Sequence, residues 1–358
     1  MSLKLPSLNK KILSIDFGAY EIKLVEAKVT KKEITISKAL TLQLPEGAYF
    51  NGKIIDEDMV LYRFKEFIKE NKVSMDKSYG VISSSDIITR EISLPKVDKD
   101  EIASIIEYQL NDILPINPRE YVIKHMIIGE EVIEGVEKYR ILLLGVPESI
   151  VFNHLELMEE AELKPEVLDY QGNSMGKLLG FNNYINDNYD INSSVIASID
   201  IGYSNSKINI IKNGYIEISR VIDLGAKHLC EQIGSNFNCG LEEAVTRLKE
   251  IDDINNLVED QSDNYQIIYI TRYFLNNIME RIEMVFRYYT TRGSGYSIDL
   301  SIIQGGLSNI SGIDELFSNY FNIPTIKLYS LDKVNWEGDY SKFANAIGAL
   351  IRVNEVNR

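Results

Sequence analysis

Asp16, Gly18 and Lys23 recur with the same spacing as Asp200, Gly202 and Lys207, 184 positions further along this chain. The stretches around them, Ile12-Leu-Ser-Ile-Asp16-Phe-Gly18-Ala-Tyr-Glu-Ile-Lys23 and Ile196-Ala-Ser-Ile-Asp200-Ile-Gly202-Tyr-Ser-Asn-Ser-Lys207, agree at six of twelve places. A carboxylate at the end of a strand can hold a hydrated metal ion, so Asp16 and Asp200 are candidate Mg²⁺ positions acting through water. A glycine in the following turn removes the Cβ and lets backbone N–H groups approach an anion. Two such turns facing each other would clamp a polyphosphate. A single Asp-x-Gly says little, because turns use both residues for steric reasons; the repetition gives it weight. The first turn offers Ala19 and Tyr20, and the second offers Ser204, Asn205 and Ser206, whose side chains can hydrogen-bond phosphate. A third candidate lies near the end of the chain, where the apolar run Ile298 to Ile303 meets Gln304-Gly305-Gly306-Leu307-Ser308 and a helix is expected near Ser311. Strand, paired glycines and helix let backbone lie flat against a planar or anionic ligand.

The elements that must position these residues can be read from periodicity. Each repeat predicts a β-hairpin, with an apolar run ending at the aspartate and a second run, Ile22 to Ala27 or Ile208 to Ile211, after the turn. Glu33 to Leu44 alternates as a third strand, and Asp56 to Asn71 reads as an amphipathic helix with Val60, Phe64, Phe67 and Ile68 on its apolar face. Strands at Tyr121 to Ile128 and Tyr139 to Val146, with a helix capped by Asp98, form a compact α+β stretch. It lies between the first hairpin and a helix, Glu148 to Leu163, that should pack beside that hairpin, so residues 45–147 are expected to be an insertion. The expected organisation is residues 1–44 and 148–194 as one lobe, 195–325 as a second lobe with helices over about 226–296, and 326–358 returning to the first. Phe181 to Ser194 reads as a loop. The long helix expected from Asn264 to Thr291 keeps apolar residues three or four apart, as core packing requires.

Composition bounds the function. The 358 residues exceed one ordinary core, which favours two domains or a bilobed unit. A formal charge of −15, from 53 acidic against 38 basic residues, argues against a nucleic-acid surface. No run of 18 apolar residues and no signal-peptide core is visible, so a cytoplasmic protein without direct membrane insertion is expected. Two cysteines and three histidines are too few for a disulfide framework; His228, Cys230 and Cys239 lack a fourth ligand of suitable spacing for zinc.

The order of these motifs, hairpin, insertion, hairpin, strand-Gly-Gly turn, resembles the actin-like ATPase superfamily. Arg90-Glu-Ile-Ser-Leu-Pro95, the helix Glu101 to Leu110 and Ile113-Leu-Pro-Ile116 are similar to stretches of the PilM family of type IV pilus assembly proteins, in the FtsA-like branch. Ser219-Arg-Val-Ile-Asp-Leu-Gly225, Leu241-Glu-Glu-Ala244 and Phe343-Ala-Asn-Ala-Ile-Gly348 extend the resemblance over essentially the whole chain. It implies an α/β actin-like ATPase fold, two lobes around a nucleotide cleft with an inserted α+β subdomain of the FtsA/SHS2 kind. It also implies ATP and Mg²⁺ as ligands, held by Asp16, Gly18, Ala19, Tyr20 and Lys23 in the first motif. Asp200, Gly202, Ser204, Asn205 and Ser206 fall on the second motif, Gly305, Gly306 and Ser308 on the adenosine motif, and Lys249 on the ribose and adenine helix. The implied function is a cytoplasmic scaffold with little or no turnover, tethered to the inner face of the membrane by the N-terminal tail of a PilN-like membrane protein. Other proteins of the pilus assembly platform, or further copies of the chain, are the remaining partners it implies.

Ala19 and Tyr20 depart from the family pattern, which places Ser or Thr there, and Thr246 stands where a glutamate is usual; both departures imply weakened nucleotide binding. Two other readings of the same fold compete. An active ATPase or small-molecule kinase would need a base or water-orienting carboxylate beside the γ-phosphate, and none stands out. An FtsA-like filament-forming protein should end in an amphipathic membrane-binding helix, whereas Val353 to Arg358 is short and polar.

Overall fold

A computed structural model describes residues 11–73, 77–114, 116–257, 262–293 and 295–352. The polar stretch 353–358 weighed above lies outside these residues, as does Pro115.

The first repeat forms the hairpin β1 (Lys11–Phe17) and β2 (Glu21–Val29), extended by β3 (Ile34–Gln43). The Asp56 carboxylate accepts the Met59 N–H at 3.0 Å and so caps α1 (Glu57–Glu70), which buries Val60, Phe64 and Ile68. The next strand, β4 (Ser78–Ile82), runs parallel to β1 in the same sheet. This moves the expected start of the insertion. The buried face of α1 shares one apolar core with Leu13, Ile15 and Phe17, so residues 45–82 belong to the first lobe. A short strand buried on both faces has no alternation to show which sheet it joins.

The separate unit is β5 (Ile88–Pro95), α2 (Lys99–Ile113), β6 (Tyr121–Ile133) and β7 (Val136–Pro147). Its antiparallel sheet has the order β5-β7-β6, and α2 covers it through Ile102 and Ile106 against Leu94, Ile141 and Leu143. Asp98 stands at the start of α2 without a side-chain cap. The chain then re-enters the first lobe through α3 (Glu148–Glu160), β8 (Pro165–Tyr170) and α4 (Gln171–Phe181). The expected loop after it contains a short ladder, Tyr184–Ile185 against Tyr189–Asp190.

The second lobe repeats the first. It consists of β9 (Val195–Ile201), β10 (Ser206–Lys212), β11 (Tyr215–Ile222), α5 (Ala226–Phe237), α6 (Leu241–Lys249), α7 (Asp263–Thr290), β12 (Leu300–Gln304), α8 (Ile313–Phe321) and β13 (Thr325–Lys327). The final elements, β14 (Val334–Asn335) and α9 (Tyr340–Ala349), return to the first lobe, where β14 pairs with β3. The two sheets have orders β8-β4-β1-β2-β3-β14 and β11-β10-β9-β12-β13. Each is an antiparallel meander continued beyond its first strand by parallel strands, and in the first sheet β14 adds a parallel strand at the other edge. The apolar stripe of α7, including Phe274, Ile278, Ile282 and Tyr289, is buried in the core of the second lobe.

Three features join the parts. Helix α4 lies against α9 and against the turn after β10: a Cβ on Gly176 would stand 2.8 Å from the Gly214 carbonyl oxygen, and one on Gly180 2.9 Å from Gly214 Cα. At the foot of α9, Trp336 packs on Tyr340 and Phe343. Between the insertion and the second lobe, Arg140 donates to Glu91 at 2.7 Å and to Glu217 at 2.8 Å, while Arg292 donates to Glu91 at 2.9 Å.

Candidate functional site

The two repeated hairpins meet at a cleft of about 340 Å³ lined by both lobes, within the range of small-molecule sites, roughly 300–1,000 Å³. Their geometry is duplicated to the level of single pairs. Asp16 stands across from Lys23 between β1 and β2, and Asp200 stands across from Lys207 between β9 and β10. Both turns are close: a Cβ on Gly18 would come within 2.7 Å of the Glu21 carbonyl oxygen, and one on Gly202 within 2.8 Å of that of Asn205. The second turn is braced by α5, whose Ala226 and Lys227 N–H groups donate to the Gly202 and Tyr203 carbonyls at 2.9 Å. At the end of β12, Gly305 has φ +89°, a conformation only glycine adopts freely. A side chain there would overlap Asp200 Oδ1. A Cβ on Gly306 would project into open space in the cleft.

The two carboxylates are held differently. Asp16 pairs with Lys23 at 3.4 Å, and Lys23 also lies 3.9 Å from Glu21. Burial works against the Lys23 charge, but Asp16, Glu21 and Asp200 outweigh it and hold its pKa above the usual lysine value. Asp200 accepts amide hydrogens from Gln171 and, at 3.2 Å, from Asn345. Among the described residues Lys207 has no such partner. Burial pushes its pKa down despite the nearby Asp200 and Asp16 charges.

Of the residues singled out in the sequence, Asp16, Gly18, Ala19, Tyr20, Lys23, Asp200, Gly202, Ser204, Asn205, Lys249, Gly305 and Gly306 line the cleft. Ser206 and Ser308 do not: their hydroxyls donate to the Leu224 and Gly305 carbonyls at 2.7 Å. Thr246 is also turned away, donating to the Glu242 carbonyl, and Val245 and Leu248 face the cleft from that helix instead. Tyr20 stacks on Tyr203 with ring centroids 5.1 Å apart, so the two hairpins touch through aromatic rings. Burial pushes the Tyr203 pKa up to about 12. Gln171, Asn345, Lys207, Lys342 and Cys230 line the cleft without having been expected. Lys207 had a visible signal, as the repeat partner of Lys23. Cys230 is a neutral thiol whose pKa burial raises to about 11.

This cleft fits a nucleotide. Its glycine turns leave backbone exposed to an anion, Ser204 Oγ is buried without a partner among the described residues, and apolar Ala226, Val245, Leu248 and Ile310 add to its lining. No group of three or more His, Cys, Asp or Glu side chains gathers among the described residues. A divalent ion here would therefore depend on water and phosphate oxygens for most of its ligands. Among the described residues no helix is long and apolar enough to cross a membrane.

The profile of the family described as type IV pilus assembly protein PilM matches residues 14–342. The structure of a PilM-PilN type IV pilus biogenesis complex superposes with a TM-score of 0.80 at 18% identity, covering 98% of this chain and 100% of that one. The ethanolamine utilization protein EutJ from Carboxydothermus hydrogenoformans is similar at a TM-score of 0.59, with 14% identity over 97% of this chain and 92% of that one. MreB5 of Spiroplasma citri bound to ADP gives 0.54, with 14% identity over 97% of both chains. These likenesses are of fold, that of the actin-like ATPases.

Proposed function

Since the chain belongs to the type IV pilus assembly protein PilM family, we propose that it is a cytoplasmic scaffold of the pilus assembly platform, binding Mg-ATP in the cleft with little or no turnover. Its membrane contact is through the N-terminal cytoplasmic tail of a PilN-like inner-membrane protein. The observation that carries the nucleotide part is the pair of duplicated hairpins facing one cleft that also receives the Gly305-Gly306 turn. Asp16 and Asp200 hold the metal through water, Gly18 and Gly202 admit the phosphates, and Gly305 and Gly306 flank the adenosine. The partner part draws support from the PilM-PilN complex, which covers this chain almost from end to end.

ATP bridging the lobes biases the cleft toward closure and alters the surface offered to the tail. A ligand shifts such an equilibrium only by its differential affinity for the two states. The test is calorimetric titration with Mg-ATP, followed by titration of the tail peptide with and without ATP. Gly306→Val is expected to weaken Mg-ATP binding tenfold or more by filling the cleft, and Asp200→Ala to weaken it severalfold through the metal. Unchanged affinity in both would place the site elsewhere, and equal peptide affinity with and without ATP would remove the coupling.

A further inference from the structure

Lys207 is a partly buried cation in the cleft wall, and among the described residues it has neither an ion-pair nor a hydrogen-bond partner. Its counterpart Lys23 is satisfied by Asp16. The difference arises at the carboxylates: Asp200 Oδ2 is already occupied by the Gln171 and Asn345 amides, so it does not reach Lys207 as Asp16 reaches Lys23. A charge drawn out of water without a partner is costly unless something else supplies the opposite charge. The cleft leaves that role to a ligand. Ser204, with its buried unpartnered hydroxyl, lines the same cleft from the turn between β9 and β10.

We propose that Lys207 binds a phosphate oxygen of the nucleotide directly, so that ATP binding in this cleft persists when the divalent metal is removed. The inference rests on the nucleotide reading above and adds to it a residue and a metal dependence. Lys207 and Lys23 form a two-cation floor, in which Lys23 neutralises Asp16 and Lys207 neutralises the ligand. Metal and lysine then act in parallel, and neither alone is decisive in the unaltered protein.

Calorimetric titration of the whole chain with ATP, in Mg²⁺ and in EDTA, distinguishes the cases. The unaltered chain should lose less than tenfold in affinity in EDTA. Lys207→Gln should lose tenfold or more in EDTA and less in Mg²⁺, with partial recovery in Lys207→Arg. If Lys207→Gln binds ATP in EDTA as the unaltered chain does, the inference falls and the nucleotide reading stands. Loss of binding by the unaltered chain in EDTA alone also overturns it. If the unaltered chain binds ATP in neither condition, the nucleotide reading itself fails. Thermal melting without ligand gives an independent check. Removing an unpartnered charge should leave the melting temperature unchanged or higher, whereas a lysine serving the fold would lower it.

Discussion

At the scale of single residues, the cleft rests on a buried histidine. His154 donates from Nδ1 to the Ile150 carbonyl at 2.7 Å, which leaves Nε2 to accept the Tyr49 hydroxyl at 2.9 Å. Phe17, next to Asp16, packs edge-on against the same ring. Burial lowers the His154 pKa to about 4. In the unfolded chain the imidazole takes a proton near its ordinary value of about 6.5, so the stabilisation is complete above that pH. It is lost as pH falls from about 6.5 toward 4, by up to about 3 kcal/mol. Denaturant unfolding across this window should show the decline, and His154→Gln should flatten it. An equally steep curve in the variant would assign the effect to other groups. Residues of this kind carry no sequence signal, since a lone His on an apolar helix face looks the same whatever it touches. Asp16, Gly18, Asp200 and Gly202 were legible only because they occur twice, and Gln171 and Asn345 reach Asp200 from helices far from it in the sequence.

Among the elements, α4 is the one whose substitution should be felt most widely. Gly176 and Gly180 bring it into backbone contact with Gly214 of the second lobe, and Gln171 at its first turn holds Asp200. A Cβ at Gly180 already meets the Gly214 backbone at 2.9 Å, so a β-branched side chain must push helix and turn apart. Gly180→Val should therefore lower stability by about 1–3 kcal/mol, the usual cost of overpacking, with Gly180→Ala less severe. Thermal unfolding of both variants checks the order, and an unperturbed Val variant would mean that the helix and turn can part without cost. Helices α1 and α7 were readable from periodicity because one face is buried and the other wet. Helix α4 escaped notice because Gln171, Ser174, Met175, Lys177, Leu178 and Leu179 are all buried, so no stripe separates core from solvent. The partners of the Ser206 and Ser308 hydroxyls were illegible for a related reason: composition shows a hydroxyl, but only the fold shows whether a carbonyl has already taken it.

Over the whole molecule, the insertion is covalently part of the first lobe but ionically fastened to the second. Glu91 is held below the usual carboxylate range: burial opposes this, and hydrogen bonds from Arg140 and Arg292 outweigh it. Glu217, on β11, is largely buried beneath the same guanidinium groups. Removing one member of such a cluster leaves the others unpaired. Because Arg140 and Arg292 are partly exposed, Glu217→Ala should cost about 1–3 kcal/mol rather than the full buried-pair value. It should also speed hydrogen exchange in Ile88–Pro95, and its effect should not add to that of Arg140→Ala. Additive costs would mean that the two residues do not act together. The two-lobed plan was visible in the motif order, while this fastening was not, because Glu91, Arg140, Glu217 and Arg292 belong to four separate segments. Trp336 is the single tryptophan among 21 tyrosines, and the helix it packs against carries Asn345, which holds Asp200. Its emission therefore arises from one known place, joined through α9 to the carboxylate that an arriving ligand would disturb. The chain carries a native optical probe of its own cleft, and intrinsic fluorescence can follow occupancy without any label.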